Sequence, residues 1–282
     1  LEVATESIAV FGEVDYELLE RLTVQAGLRY NYDKYEETLA PGSVDLFDLD
    51  FDRLIGGCVS LLCPEVNPDG ATGDASFDDV TWKVAGIFEA TDDVNLYAQV
   101  SKGYRAGGVQ LNDLETPDFG SEQVINYEVG VKGTFLDGRV SANASAFFMD
   151  YSDIQVFTTD PRTGRSFTDN AGKAEIFGVE FDMLASITDR FSILMNAAYL
   201  DTDIKEFIDS DGVDRSGTPL PNAPEWSGSI IADYDQPITS QFDGFVRVAY
   251  IYTDDQFSDL LLIDDSTNDS YKSFYLRACI QS

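Results

Sequence analysis

Two facts about side-chain chemistry stand out in this 282-residue sequence. There is no histidine, which removes the Ser-His-Asp and Cys-His catalytic arrangements and the commonest transition-metal ligand. Carboxylates, in contrast, number 51 against 18 lysines and arginines, a formal charge of −33. With so many acids, any Asp/Glu pair named as a glycosidase dyad would be chosen after the fact, and no enzymatic reading follows. Asn67-Pro-Asp69-Gly70 and Asp209-Ser-Asp211-Gly-Val-Asp214 set oxygen ligands beside glycine, as calcium loops do. Neither has the EF-hand spacing, with glycine sixth and glutamate twelfth. Gly103-Tyr-Arg-Ala-Gly-Gly108 lacks GxGxxG spacing and opens no helical pattern, so no nucleotide loop and no bound cofactor are implied. The acid excess also argues against nucleic-acid binding through a basic surface.

Such side chains need a scaffold, and the composition says that it is ordered. Hydrophobic residues make up 44% and aromatic residues 12%, too apolar for a disordered chain even at this charge. The length suits one large domain or two ordinary ones. The opening LEVATESIAVFGEV has no signal-peptide pattern. No apolar run approaches the ~18 residues of a membrane helix, which excludes a helical membrane protein but not a membrane β-barrel, whose strands alternate.

Period-two alternation is the dominant pattern. Leu22, Val24, Ala26, Leu28, Tyr30 and Tyr32 share one face, opposite Thr23, Gln25, Gly27, Arg29, Asn31 and Asp33. The same separation recurs over 125–135, 177–183 and 246–252. Eleven strands are predicted, at 6–17, 21–35, 79–91, 94–105, 123–136, 139–158, 167–187, 190–207, 226–238, 244–256 and 271–281. Several exceed the ~5–6 residues common in soluble sheets and match the ~9–11 that cross a bilayer at a tilt. Their connections alternate strictly between short turns and long polar loops at about 36–78, 106–122, 159–166, 208–225 and 257–270. Outer-membrane barrels have this arrangement, with short periplasmic turns and longer extracellular loops. The predicted fold class is therefore all-β, an antiparallel transmembrane β-barrel. Tyr30, Tyr32, Tyr35, Tyr104, Tyr151, Tyr199, Tyr250 and Tyr252 lie near loop-side strand ends, where an interfacial girdle would put them.

Several stretches then carry a resemblance. Tyr97-Ala-Gln-Val-Ser-Lys-Gly-Tyr-Arg-Ala-Gly-Gly108, Ser121-Glu-Gln-Val-Ile-Asn-Tyr-Glu-Val-Gly-Val-Lys132, Asn170-Ala-Gly-Lys-Ala-Glu-Ile-Phe-Gly-Val-Glu180 and Pro221-Asn-Ala-Pro-Glu-Trp226 resemble, in order, the C-terminal barrel of TonB-dependent outer-membrane receptors. Ala146-Phe-Phe-Met-Asp-Tyr-Ser-Asp-Ile-Gln155 continues it, and the likeness covers nearly all of the chain outside the 36–78 loop. The resemblance implies an importer of a scarce bulky ligand, usually a ferric siderophore, in the outer membrane of a Gram-negative bacterium. It implies energy from the TonB-ExbB-ExbD complex, a plug domain and a barrel of ~22 strands. Eleven strands are about half of that, so residues 1–282 are expected to be a partial barrel, with the plug and terminal strands outside it.

Within that frame, Arg105, Gln110, Arg162, Arg165 and Arg215 are the candidate ligand contacts, because an anionic ferric chelate needs such donors at the outer rim. Cys58 and Cys63, in the longest loop, are a candidate disulfide if that loop faces an oxidising exterior, and Cys279 reads as a small apolar wall residue. Glu128, Lys132, Glu180 and Asp182 fall on the lumen side with Asn126 and read as a polar ladder. Two alternatives stay open: a passive porin, and a secreted carbohydrate-binding or hydrolytic β protein. A barrel requires one continuous sheet, with Tyr127, Val129, Val131, Phe177, Val179, Val246 and Val248 exposed on its lipid face. A sandwich would bury them.

Overall fold

Each long alternating stretch forms a strand in the computed structural model, which describes residues 2–40, 43–44, 66–67, 71–110, 118–159, 166–208, 212–258 and 267–281. In chain order these are β1 (Glu2–Leu19), β2 (Leu22–Leu39), β5 (Ala71–Thr91), β6 (Val94–Arg105), β7 (Glu122–Phe135), β8 (Val140–Thr159), β9 (Ser166–Thr188), β10 (Phe191–Glu206), β11 (Trp226–Pro237), β12 (Asp243–Thr253) and β15 (Tyr271–Gln281). The two-residue strands β3 (Ser43–Val44) and β4 (Val66–Asn67) pair with each other in one long connection, as do β13 (Gln256–Phe257) and β14 (Thr267–Asn268) in another. The eleven long strands make one antiparallel sheet, in the order β1-β2-β5-β6-β7-β8-β9-β10-β11-β12-β15. Sequence neighbours are therefore sheet neighbours throughout, as short turns require.

The predicted boundaries depart most at the β2–β5 hairpin, where β2 runs on to Leu39 and β5 begins at Ala71. Pairs such as Glu36–Asp74 and Thr38–Thr72 extend the ladder with polar residues on the outward face, while Gly73, Ala75 and Phe77 lie on the inner one. Backbone hydrogen bonds continue there, but the outward face is no longer apolar, so the lipid-facing sequence pattern stops short.

The two faces differ in chemistry. Cross-strand pairing aligns Ala98, Val129, Ala146, Val179, Tyr199 and Trp226 in one row, and Val100, Tyr127, Phe148, Phe177 and Asp201 in the next. On this face Tyr127 is 50% exposed and Val129 56%, and Phe177, Val179 and Val246 are exposed as well. Val131 and Val248 are half-buried between the side chains of flanking strands. Apolar side chains that cover no core have lipid as their solvent. One row higher, Lys102, Ile125, Asp150, Glu175 and Asp203 line up. The apolar band ends between these last two rows.

The inner face is polar and mutually bonded. Glu128 accepts hydrogen bonds from Tyr97 Oη (2.6 Å), Gln99 Nε2 (2.9 Å) and Asn126 Nδ2 (3.3 Å). Lys132 lies over the Tyr97 ring, Asn143 donates to Asp182, and Arg247 forms a two-pronged pair with Asp233. The polar ladder expected at Glu128, Lys132 and Asp182 takes this form. The expected tyrosine girdle holds only in part. Tyr30 and Tyr250 are exposed on the apolar face, and Tyr199 packs against Trp226 with ring centroids 4.8 Å apart. Tyr35 and Tyr151 point inward, the first edge-on to Phe77 and the second onto a buried apolar cluster, because odd positions of β2 and β8 face the lumen.

Glycine makes room for aromatic rings on the inner wall. A Cβ on Gly178 would lie 2.2 Å from the Phe147 ring, and one on Gly130 would lie 2.6 Å from the Tyr97 ring. Gly178→Val should therefore cost about 1–3 kcal/mol through overpacking. In the full-length protein the expected outcome is a smaller fraction of heat-modifiable folded barrel on unheated electrophoresis, whereas Gly86→Val, at a position with open space, should leave that fraction unchanged.

Candidate functional site at the outer rim

At the loop-side ends of β8, β9 and β10 the regular alternation breaks. Asp153 has φ 55°, in the left-handed region. Beyond it Ile154 and Val156 join the same cluster as Tyr151 and Ala174, instead of continuing the outward face of Ser152. Ile204, Phe207 and Leu220 complete a buried apolar patch, with Ile176 packed beside it. β11 pairs with β10 only up to Tyr199–Trp226, so the upper edge of β10 is free for another partner. The segment after Phe207 takes that edge. Ile204 N donates to Thr218 O, Gly217 N to Ile204 O, and Leu220 N to Thr202 Oγ1. The hydroxyl and backbone N–H of Ser216 hold the Asp214 carboxyl below its ordinary range. This loop is thereby folded down over the inner wall.

A second loop is strapped across the neighbouring strands. Gly108 and Phe119 exchange both backbone hydrogen bonds, continuing the β6–β7 ladder above its regular end. A Cβ on Gly107 would lie 2.2 Å from Phe119 O and 2.6 Å from the Phe77 ring, so the strap lies directly against the inner face of β5. Its other side is held by amide side chains acting as backbone surrogates. Gln110 Nε2 donates to Thr168 O and Gln110 Oε1 accepts from Thr168 N, both at 2.8 Å. Asn170 accepts from Gly120 N and donates to Gly120 O and Asp153 O. Gln155 Nε2 donates to Ala106 O and Gly120 O.

Of the five predicted contacts, Arg105, Gln110 and Arg215 lie within the described residues. Arg105 donates to Glu122 Oε2 (2.8 Å) and Gln155 O (3.1 Å) at the base of the strap. Gln110 forms the clasp with Thr168. Arg215 lies in the loop folded over β10, its N–H bonded to Phe207 O. Arg162 and Arg165, and likewise Cys58 and Cys63, lie outside the described residues, as do Asp69, Gly70, Asp209 and Asp211 of the calcium-like stretches. Among the described residues, no three acids or cysteines gather as a metal site. Cys279 is a free, half-buried thiol in β15.

Sequence reasoning missed a buried group beside the strap. Lys102 Nζ lies 2.6 Å from Asp79 Oδ1, with side chains only 18% and 8% exposed, where β5 and β6 cease to pair above Trp82–Lys102. Asp79 Oδ2 and Tyr104 Oη are buried beside it without a hydrogen-bond partner among the described residues. Lys102 and Tyr104 stood within the first family-like stretch, but nothing in the sequence tied them to Asp79. The outer rim is thus walled by packed apolar side chains, clasped backbone and buried polar groups.

Residues 2–278 match the family described as TonB dependent receptor-like, beta-barrel. The chain belongs to this family. Among curated relatives of this receptor barrel is the pesticin receptor of Yersinia enterocolitica, 27% identical over 180 residues, or 63% of this chain and 23% of the relative. Two solved structures share the fold: the ferric yersiniabactin uptake receptor FyuA of Yersinia pestis (20% identity, TM-score 0.74, 99% of this chain and 38% of that one) and the siderophore receptor PiuA of Acinetobacter baumannii (20% identity, TM-score 0.72, 98% and 37%). The receptor barrel thus spans about a quarter of the length of that curated relative. Family barrels sit in the Gram-negative outer membrane, which puts the long loops and the strap on the outer side. Removing the clasps should loosen the strap without unfolding the sheet. In the full-length receptor, Gln110→Ala combined with Asn170→Ala should expose 106–121 to protease in intact cells at least about tenfold faster, since bonds worth about 1 kcal/mol each are lost.

Proposed function

We propose that the whole protein is an outer-membrane active-transport receptor that captures a scarce, bulky ligand, a ferric siderophore, and imports it with energy delivered through TonB. Family membership over residues 2–278 is the observation that carries this reading. The sheet fits it: the apolar face meets outer-membrane lipid, the polar face lines the lumen, and the outer rim presents shaped walls. In this reading the barrel supplies specificity and a path but no catalytic step. ExbB and ExbD are the inner-membrane partners that power TonB. Residues 1–282 supply eleven strands, and β1 and β15, each paired on one side only in this sheet, join the remaining strands around a plug domain.

The test is iron-limited growth of a Gram-negative host stripped of its own siderophore receptors and carrying the full-length gene. Growth on a supplied ferric siderophore should appear with the gene and disappear when tonB is deleted. A passive porin would keep uptake in the tonB-deleted strain, and a secreted hydrolase would cleave a polymer with no change in iron uptake. Either result would sink the transport reading.

A further inference from the structure

Hydrogen bonding along β5 changes where β6 leaves it. Glu89 N donates to Arg21 O, so the odd positions of β5 bond to β2 and the even positions face β6. The β5–β6 ladder ends at Trp82–Lys102, while β5 stays paired with β2 as far as Ala71. Val80 N–H is therefore the first donor on that edge with no β6 residue paired opposite it. Asp79 supplies the acceptor: its Oδ1 receives Val80 N at 2.5 Å and Lys102 Nζ at 2.6 Å. By register Asp79 sits opposite Asn31 on the lumen face, whereas Lys102 belongs to the outward row, so the pair joins the two strands across the seam where they part. Further along the same lumen face, Phe77 meets the strap at Gly107, shortly after Lys102 in the chain.

We propose that the Asp79–Lys102 pair is a pin that fixes where the strap stands over the inner wall, which makes both of them positioning residues for ligand capture. This rests on the transport reading and deepens it. The two side chains are 8% and 18% exposed, so they act through the strap and not by touching a ligand. An apolar contact would fill the same space. What the ion pair adds is a single geometry, because either charge left at this depth without its partner is costly. Asp79 depends on Oδ1 all the more, since its Oδ2 is buried with no hydrogen-bond partner among the described residues. Removing Lys102 alone therefore has two effects: it frees the upper end of β6, and it leaves a buried charge. The first is the positioning role and the second is a stability effect.

The experiment compares the unaltered full-length receptor with Lys102→Met and with the double variant Asp79→Asn, Lys102→Met. In the double variant an amide oxygen still accepts from Val80 N and no charge is buried, so it should recover the heat-modifiable fraction that Lys102→Met loses. Amide exchange in detergent is followed by mass spectrometry over 104–110 and 118–122. These amides should exchange at least about tenfold faster than in the unaltered receptor in both variants, as loss of a charge-assisted hydrogen bond implies. In cells, uptake is measured with labelled iron as a trihydroxamate, a tris-catecholate and a hydroxycarboxylate chelate, using whichever is taken up in a tonB-dependent way. The double variant should raise the half-saturating concentration about threefold or more and keep the maximal rate within about twofold, because capture is weakened in an intact barrel. Exchange or half-saturation equal to that of the unaltered receptor makes the pair a stabilising contact only and overturns the proposal, with transport left standing. If the double variant fails to fold, Asp79→Glu decides: it keeps the charge on an arm one methylene longer, and unchanged exchange in the strap overturns the proposal. Absence of tonB-dependent uptake of every probe by the unaltered receptor removes the transport reading and the capture role with it.

Discussion

A strand that crosses a bilayer must find backbone partners within the protein, because lipid offers none and each unsatisfied N–H or C=O costs several kcal/mol. The rest of this structure depends on that constraint. It explains why the strands are so long, why every strand pairs with its sequence neighbour, and why no helix of the described residues is long and apolar enough to cross a membrane. It also explains the side-chain economy of the sheet. Hydrogen bonding is handled by the backbone, so the apolar face can be plain Val, Ala, Phe and Tyr with nothing packed over it. The inner face carries the Asn, Gln, Glu and Lys that water and cross-strand neighbours can satisfy.

The same constraint relaxes above the charged row of Asp150, Glu175 and Asp203. Water is available there, strands no longer have to pair, and the pairing becomes irregular. β11 stops short of β10, β5 parts from β6 above Lys102, and Asp153 turns its strand. Each irregularity is filled by something specific. The loop after Phe207 takes the free edge of β10, Lys102 reaches Asp79, and amide side chains stand in for missing backbone partners along the strap. The outer rim is therefore where regular architecture gives way to shaped surface.

This division also sets what could be read from the sequence. The eleven strands were legible to within a few residues wherever one face met lipid, since a period of two with an apolar face is a direct record of that solvent. The β2–β5 extension was not, because its outward residues Glu36, Thr38, Thr72, Asp74, Ser76 and Asp78 are polar, so the lipid-facing pattern has ended there. Nor was the inward turn of Tyr35 and Tyr151: a tyrosine near a strand end suits a girdle and a lumen wall equally, and only the register separates them. At the rim, the arginines and the glutamine could be recognised as polar loop-side residues, but their partners could not. Gln110 finds Thr168, and Asp79 finds Lys102, across sequence separations of 58 and 23 residues that no periodicity encodes.

The clasps show why a binding rim on this fold can be varied without loss of the barrel. Sheet stability rests on ladders from β1 to β15, which the described residues of the strap join only through the Gly108–Phe119 bridge. Gln110, Gln155 and Asn170 each fasten loop backbone through a few hydrogen bonds, a local contribution of about 1 kcal/mol apiece against a sheet held by every residue of its strands. Changes at such positions shift the shape of the mouth while the membrane-spanning part keeps its pairing.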